Sequence, residues 1–260
     1  MVASDMEKLL NLSCELGRQL MRNGAEICRV EESVERLLAA YGCSDSEVFA
    51  IPSCVIINIR TEERNYTKSV RIRTGAIHLD RLRKLNALCR EICADPPAVE
   101  EAEKRLREIL ASPVYPAWVD YLAHGVVAFF FTLFWGGCLP DAVVAFFCGL
   151  IVKRTVGFMH SVQANGFFTN LVAAMFATVL PVILQMIGGI THVDKIIIGT
   201  IMLLVPGLAI TNMMRDMLAG DYLTAVVRLT EVMIVALGIT IGVAMALMAV
   251  PWLFAVVGIG

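Results

Sequence analysis

Between Leu203 and Glu231 the chain reads LLVPGLAITNMMRDMLAGDYLTAVVRLTE. Polar and charged side chains here interrupt apolar sequence on both sides. Asn212 and Asp216 are spaced i, i+4, and Arg228 and Glu231 i, i+3, so each pair shares one helix face. Pro206-Gly207 breaks the apolar run, because proline has no N–H to donate and glycine loosens the backbone. An arginine can pair with a solute carboxylate. A buried acid, Asp216 or Glu231, can hold a proton at a raised pKa. A helix resuming at Leu208 presents N–H groups and partial positive charge to an anion. Two readings stay open. In one, Pro206, Gly207, Asn212, Asp216, Asp221, Arg228 and Glu231 line a pathway for a carboxylate-bearing solute and a proton. In the other, they form a packed kink and an interfacial ion-pair cluster that holds a hairpin together. Asp141, shortly after Gly136-Gly137, either caps a helix or lines an outer vestibule of the same pathway. His124 reads as core-facing and hydrogen-bonded.

The elements that must position these residues follow from composition. Of 260 residues, 57% are apolar, and the mean hydropathy is +0.70, which excludes an ordinary soluble protein. The net charge of -2 hides an asymmetry: 17 of the 22 Lys+Arg lie in residues 1–117 and five beyond. The expected architecture is an α-helical membrane protein with five transmembrane helices (117–260), preceded by a small cytoplasmic α+β head (1–116). The spans are expected near 117–135, 139–152 (extendable to 159), 167–187, 196–214 and 223–249, since about 20 apolar residues cross a bilayer. Lys153 and Arg154 are expected to snorkel toward an interface. MVASDMEKLL lacks the basic-then-apolar pattern of a secretory leader. The basic residues place the head inside, and five spans place the C-terminus outside. An odd span count suits a half-unit that completes its fold with a second membrane subunit or a second copy.

In the head, Leu9, Leu12, Leu16 and Leu20 recur at helical spacing, and Asn23-Gly24 ends that helix. A second helix covers about 25–40, with Gly42 as its cap. The period then falls to two over 47–51, 54–59 and 66–73, predicting a small antiparallel sheet with a polar turn over 61–65. Helices return over 79–93 and 98–110, and 112–116 is a linker. No cysteine spacing supports a metal site, and the eight cysteines read as free thiols. The Arg81, Arg83, Lys84 run reads as a solvated helix face rather than a nucleic-acid surface. Glu26, Glu31 and Glu32 are available acids, but no nucleophile–base spacing accompanies them, so an enzymatic head and a cofactor are not expected. A non-transporting membrane scaffold or sensor remains an alternative.

These residues resemble the bacterial threonine/serine exporter family in its N-terminal, five-span half. The resemblance rests on VPG at 205–207 with Asn212, Asp216, Gly220-Asp221 and Arg228. It rests also on Asn23-Gly24-Ala25-Glu26 followed by Arg29-Val30-Glu31, on Ile51-Pro52, Arg71 and Leu79-Arg81-Leu82, and on Gly136-Gly137 with Asp141. It implies export of small carboxylate metabolites, foremost threonine and serine, across the bacterial inner membrane, driven by the proton gradient. Family members that fuse two halves differ from this chain, which is similar to the larger subunit of the split form and would work with a small membrane partner. Some split pairs are associated with succinate, so dicarboxylate export is the alternative.

Overall fold

The computed structural model describes residues 3–62, 64–73, 77–112, 115–190 and 192–257. Parts of two expected features, the 61–65 turn at Glu63 and the 112–116 linker at Pro113 and Val114, lie outside the described residues. The chain packs as two compact units. The first comprises Met1–Pro113 and Thr211–Arg228, the second Val114–Ile210 and Leu229–Gly260. The hairpin at 211–228 therefore groups by packing with the N-terminal residues.

In the first unit, α1 (Ala3–Arg22) and α2 (Ile27–Ala40) bury their leucine and valine stripes completely, Leu9, Leu16, Val30, Val34 and Leu37 among them. They cover one face of a three-stranded antiparallel meander, β1 (Ser46–Ile51), β2 (Cys54–Arg60) and β3 (Asn65–Arg71). Register runs from Ser46 opposite Ile59 to Ile51 opposite Cys54, and from Cys54 opposite Arg71 to Arg60 opposite Asn65. Val55, Ile57 and Ile59 alternate inward, as the two-residue period demands. Helices α3 (Leu79–Ala94) and α4 (Val99–Ala111) close the core through Leu85, Leu88, Ile92, Ala102 and Leu106. Arg83 and Lys84 pair with Asp80 on their own helix.

The second unit holds α5 (Ala117–Phe134), α6 (Leu139–Ser161), α7 (Gly166–Met186) and α8 (Val193–Ile201). Helix α9 (Gly207–Ala219) leads out of it, and most of α10 (Tyr222–Val257) returns to it. The expected fourth span, 196–214, is not one helix. The chain leaves α-helix after Ile201 and resumes at Gly207. Pro206 cannot donate into a continuous ladder, and the Gly207 N–H turns to the Val205 carbonyl at 2.8 Å. Nine and thirteen residues reach about 14 and 20 Å, each short of a hydrocarbon core of about 30 Å. Among the described residues, four helices rather than five are long and apolar enough to cross a membrane: α5, α6, α7 and α10. Their apolar side chains largely face outward, Phe134 at 78% and Met248 at 76% exposure, where lipid would supply the contacts that water cannot.

Close backbone packing replaces large apolar side chains between these helices. Gly238 and Gly242 of α10 form a small-xxx-small pair against α7. A Cβ at Gly242 would lie 2.2 Å from the Leu171 carbonyl oxygen, and one at Gly238 would lie 2.7 Å from that of Phe167. Gly242→Ala is expected to cost about 1–3 kcal/mol, as overpacked sites do. It should lower the melting temperature of the purified protein; an unchanged melting temperature would show that α7 and α10 can part without cost.

Candidate functional site

The hairpin between α9 and α10 is shaped by its own sequence. Gly220 adopts φ +90°, a conformation glycine takes without Cβ strain. The Asp221 N–H returns to the Asp216 carbonyl at 2.9 Å, a Schellman closure. The α1–α2 turn uses the same device: Gly24 has φ +96°, and the Ala25 N–H bonds the Leu20 carbonyl at 3.1 Å. The two turns meet. Asn212 Nδ2 donates to the Gly24 carbonyl at 3.5 Å, a long contact, and Arg215 Nη1 pairs with Glu26.

At the base of the hairpin lies the buried ion pair. Arg228 Nε approaches Asp216 Oδ2 at 2.9 Å, with side-chain exposures of 12% and 3%. Neither atom has an aligned hydrogen-bond partner among the described residues, so the contact is Coulombic more than directional. Burial pushes the Asp216 carboxyl above its usual value. Asp221 and Glu26 push the same way, and Arg228 and Arg215 oppose them. Glu31, whose carboxylate accepts the Ala50 N–H at 2.8 Å, is raised chiefly by burial, with Asp221 adding to it. Four acids, Glu26, Glu31, Asp216 and Asp221, thus share a patch with two arginines, Arg215 and Arg228. Such a patch can hold a proton and can exchange one carboxylate partner of an arginine for another.

The pH consequence has a definite sign. A carboxyl with a raised folded-state pKa binds more protons folded than unfolded, so its contribution is full at low pH. That contribution is lost as pH rises from the usual 3.8 through the raised value. Hydrogen-exchange protection of 211–228 should therefore fall as pH rises through that window in the parent chain and stay flat there in Asp216→Asn. Equal slopes in the two would remove Asp216 as the titrating group.

Asp221 is exposed at the edge of this patch, at the hairpin tip. The remaining expected site residues go elsewhere: Pro206 and Gly207 form the break itself, and Glu231 is exposed on α10. Asp141 is buried in the second unit, where its Oδ2 accepts from the Cys138 N–H at 3.0 Å and lies 2.9 Å from Cys138 Sγ and 3.1 Å from His192 Nδ1. These three side chains offer ligand atoms within 4.8 Å of one another. His124 is half-buried, its Nδ1 2.7 Å from the Asp120 carbonyl oxygen. Lys153 pairs with Asp120, in the first turn of α5, across α5 and α6. Sequence reasoning missed Asp120, Arg215 and His192 as partners. Glu26 and Glu31 were visible only as acids within the motif Gly24-Ala25-Glu26 to Glu31.

A family model described as "Putative threonine/serine exporter" matches residues 11–250. A "Probable threonine/serine exporter" of Mycobacterium tuberculosis is 24% identical over 246 residues, covering 94% of this chain and 46% of that protein. The "Threonine/serine exporter" of Corynebacterium glutamicum is 25% identical over 253 residues, 94% of this chain and 52% of that protein. The chain thus spans about half the length of these two relatives. A "Probable succinate transporter subunit" of Escherichia coli is 23% identical over 253 residues, 95% of this chain and 96% of that protein. No solved structure matches the chain. With the match running from α1 to the Val250 turn of α10, through both the Gly24-Ala25-Glu26 turn and the Asp216–Arg228 hairpin, the chain belongs to the threonine/serine exporter family.

Proposed function

We propose that this multi-pass membrane protein is a subunit of a proton-coupled exporter of small carboxylate-bearing metabolites, threonine and serine first. Its proposed setting is the bacterial inner membrane, with the head cytoplasmic and the C-terminus outside, acting with a second membrane subunit. The observation that carries the reading is the buried Asp216–Arg228 pair, held where the hairpin meets the α1–α2 turn. An arginine paired with a carboxyl of raised pKa can release that acid on protonation and take a substrate carboxylate in its place. Protonation of Asp216 then accompanies solute binding, and deprotonation restores the internal pair. Helices α8 and α9 serve as the two halves of one discontinuous segment, broken at 202–206.

The proposed depth of the pair rests on length and on where the charges lie. Helix α10 has 36 residues and measures about 54 Å, well beyond a core of about 30 Å. Its charges, Arg228 and Glu231, stand near its start and none follows from 232 to 257, a length of about 39 Å that crosses the core by itself, so the reading sets the pair near the membrane surface as a gate at the mouth. Succinate is the second reading, supported by the relatives named as succinate transporter subunits, which align with this chain over 95% and 96% of their lengths.

Efflux from cells preloaded with labelled threonine, serine or succinate tests the reading. Cells expressing the full chain together with its host's candidate partner subunit should lose one of the three faster than cells without the chain. Equal retention of all three would end the proposal.

A further inference from the structure

Away from the hairpin, the second unit brings together three side chains of different chemistry. Cys138 precedes α6, Asp141 lies in its first turn, and His192 precedes α8, 51 residues from Asp141. Asp141 is 1% exposed, yet three donors converge on one of its oxygens, the Cys138 N–H, the Cys138 thiol and His192 Nδ1. A capping box, in which the Asp141 carboxylate takes the Cys138 N–H and the Cys138 side chain faces the Asp141 N–H, explains the first and places the thiol, but it does not explain the histidine. Serine, threonine, aspartate and asparagine cap better than cysteine, and no cap requires a histidine from another loop.

The supports are rigid. A Cβ on Gly137 would meet the Thr132 carbonyl oxygen at 2.9 Å and Lys195 Cβ at 3.4 Å, and one on Gly199 would meet the Thr132 backbone nitrogen at 2.7 Å. The α5–α6 turn and α8 are thus seated against each other at backbone distance. Lys195, the nearest lysine in sequence to His192, pairs with Asp194 at 3.3 Å.

We propose that Cys138, Asp141 and His192 bind a zinc-class divalent ion that ties the α5–α6 turn to the start of α8. One thiolate, one imidazole and one carboxylate form a donor set suited to zinc and unsuited to magnesium or calcium, which take oxygen. Tetrahedral zinc with its usual bond lengths separates sulfur from carboxylate oxygen by about 3.5 Å and imidazole nitrogen from that oxygen by about 3.3 Å. The separations here, 2.9 and 3.1 Å, need to open by about 0.6 and 0.2 Å to reach those spacings, and all three ligand atoms already lie within 4.8 Å of one another. Binding releases the thiol proton to solvent, requires His192 Nδ1 unprotonated, and leaves the fourth position to water. The sequence reading found no metal site because the ligands come from two loops with no motif spacing between them.

Cobalt is the probe. The full chain, purified in detergent micelles, is titrated with Co²⁺ and should develop a near-ultraviolet thiolate-to-cobalt absorption that Zn²⁺ abolishes by displacement. Cys138→Ser should lose that band while keeping the helix, serine being the better cap. His192→Gln should weaken binding by about 100-fold or more, since even outer-shell losses cost 10–100-fold. No band in the parent chain, a band unchanged in Cys138→Ser, or an unchanged affinity in His192→Gln would each overturn the site. The other cysteines would then be the source of any absorption. None of these readouts depends on transport.

Discussion

Arg228→Ala is expected to abolish export and to free the α9–α10 hairpin from the α1–α2 turn. Asp216 is left at 3% side-chain exposure with its nearest cation gone. Removing one partner of a buried pair costs about 3–5 kcal/mol, because the remaining charge keeps its desolvation penalty without its attraction. Part of that cost is recovered by protonating Asp216, whose pKa is already raised by burial. Loss of Arg228 pushes it further, so the defect should be worst at high pH. Limited proteolysis at 211–228, run beside efflux, reads both effects. Arg228→Lys keeps the charge and should restore most of the protease protection, but less of the efflux, because an ammonium lacks the guanidinium's planar donors. If Arg228→Ala leaves both cleavage and efflux unchanged, the pair is neither structural nor functional.

Asp216→Asn is expected to do less to folding and the same to transport. Asparagine is nearly isosteric and carries no charge to desolvate, but it leaves the Arg228 guanidinium, 12% exposed, without its carboxylate. Its side-chain oxygen can still accept from the guanidinium, so protease protection should fall less than in Arg228→Ala. Efflux should fall to the level of cells without the chain, because Arg228 has lost the acid that yields to substrate and the proton has lost its seat. Asp216→Glu should retain part of the activity with a shifted pH profile. Export by Asp216→Asn at the parental rate, with the parental pH profile, would leave Asp216 as a structural residue only.

Comparing the two variants separates the readings that the spacing alone left open. An ion-pair staple predicts that both lose folded hairpin. A gate predicts that Asp216→Asn keeps the folded hairpin better than Arg228→Ala does, while both lose export. Glu26 and Arg215 provide a further check, since their pair lies at the surface, with Arg215 60% exposed. Solvent screens such surface pairs, so Glu26→Gln should barely change stability.

Much of the architecture was legible in the residues. The leucine spacing of α1, the cap at Gly24, the alternation of β2 and the apolar lengths of α5, α6 and α7 all encode structure over neighbouring positions, where a period of 3.6 or 2 is a sufficient signal. The break at Pro206-Gly207 was legible too, because a missing donor is a local fact. Its consequence was not: the division of 196–214 into two short helices depends on how far the chain turns between Ile201 and Gly207. The 36-residue reach of α10 also exceeded the expected 223–249, since no charge ends it and Pro251 is accommodated within it.

What tertiary structure alone decided is which distant residues share a patch. Glu26 meets Arg215 across 189 positions, His192 meets Asp141 across 51, and Lys153 meets Asp120 on the neighbouring helix. Sequence determined that Asp216 and Arg228 were ionisable groups beside apolar segments, each on a helix face with a polar companion. It did not determine that they would face each other, nor that Glu231 would point away. Helix periodicity sets the angle of a side chain about its own axis. The partner it meets is set by how separate helices pack, and that arrangement depends on contacts spread over the whole unit.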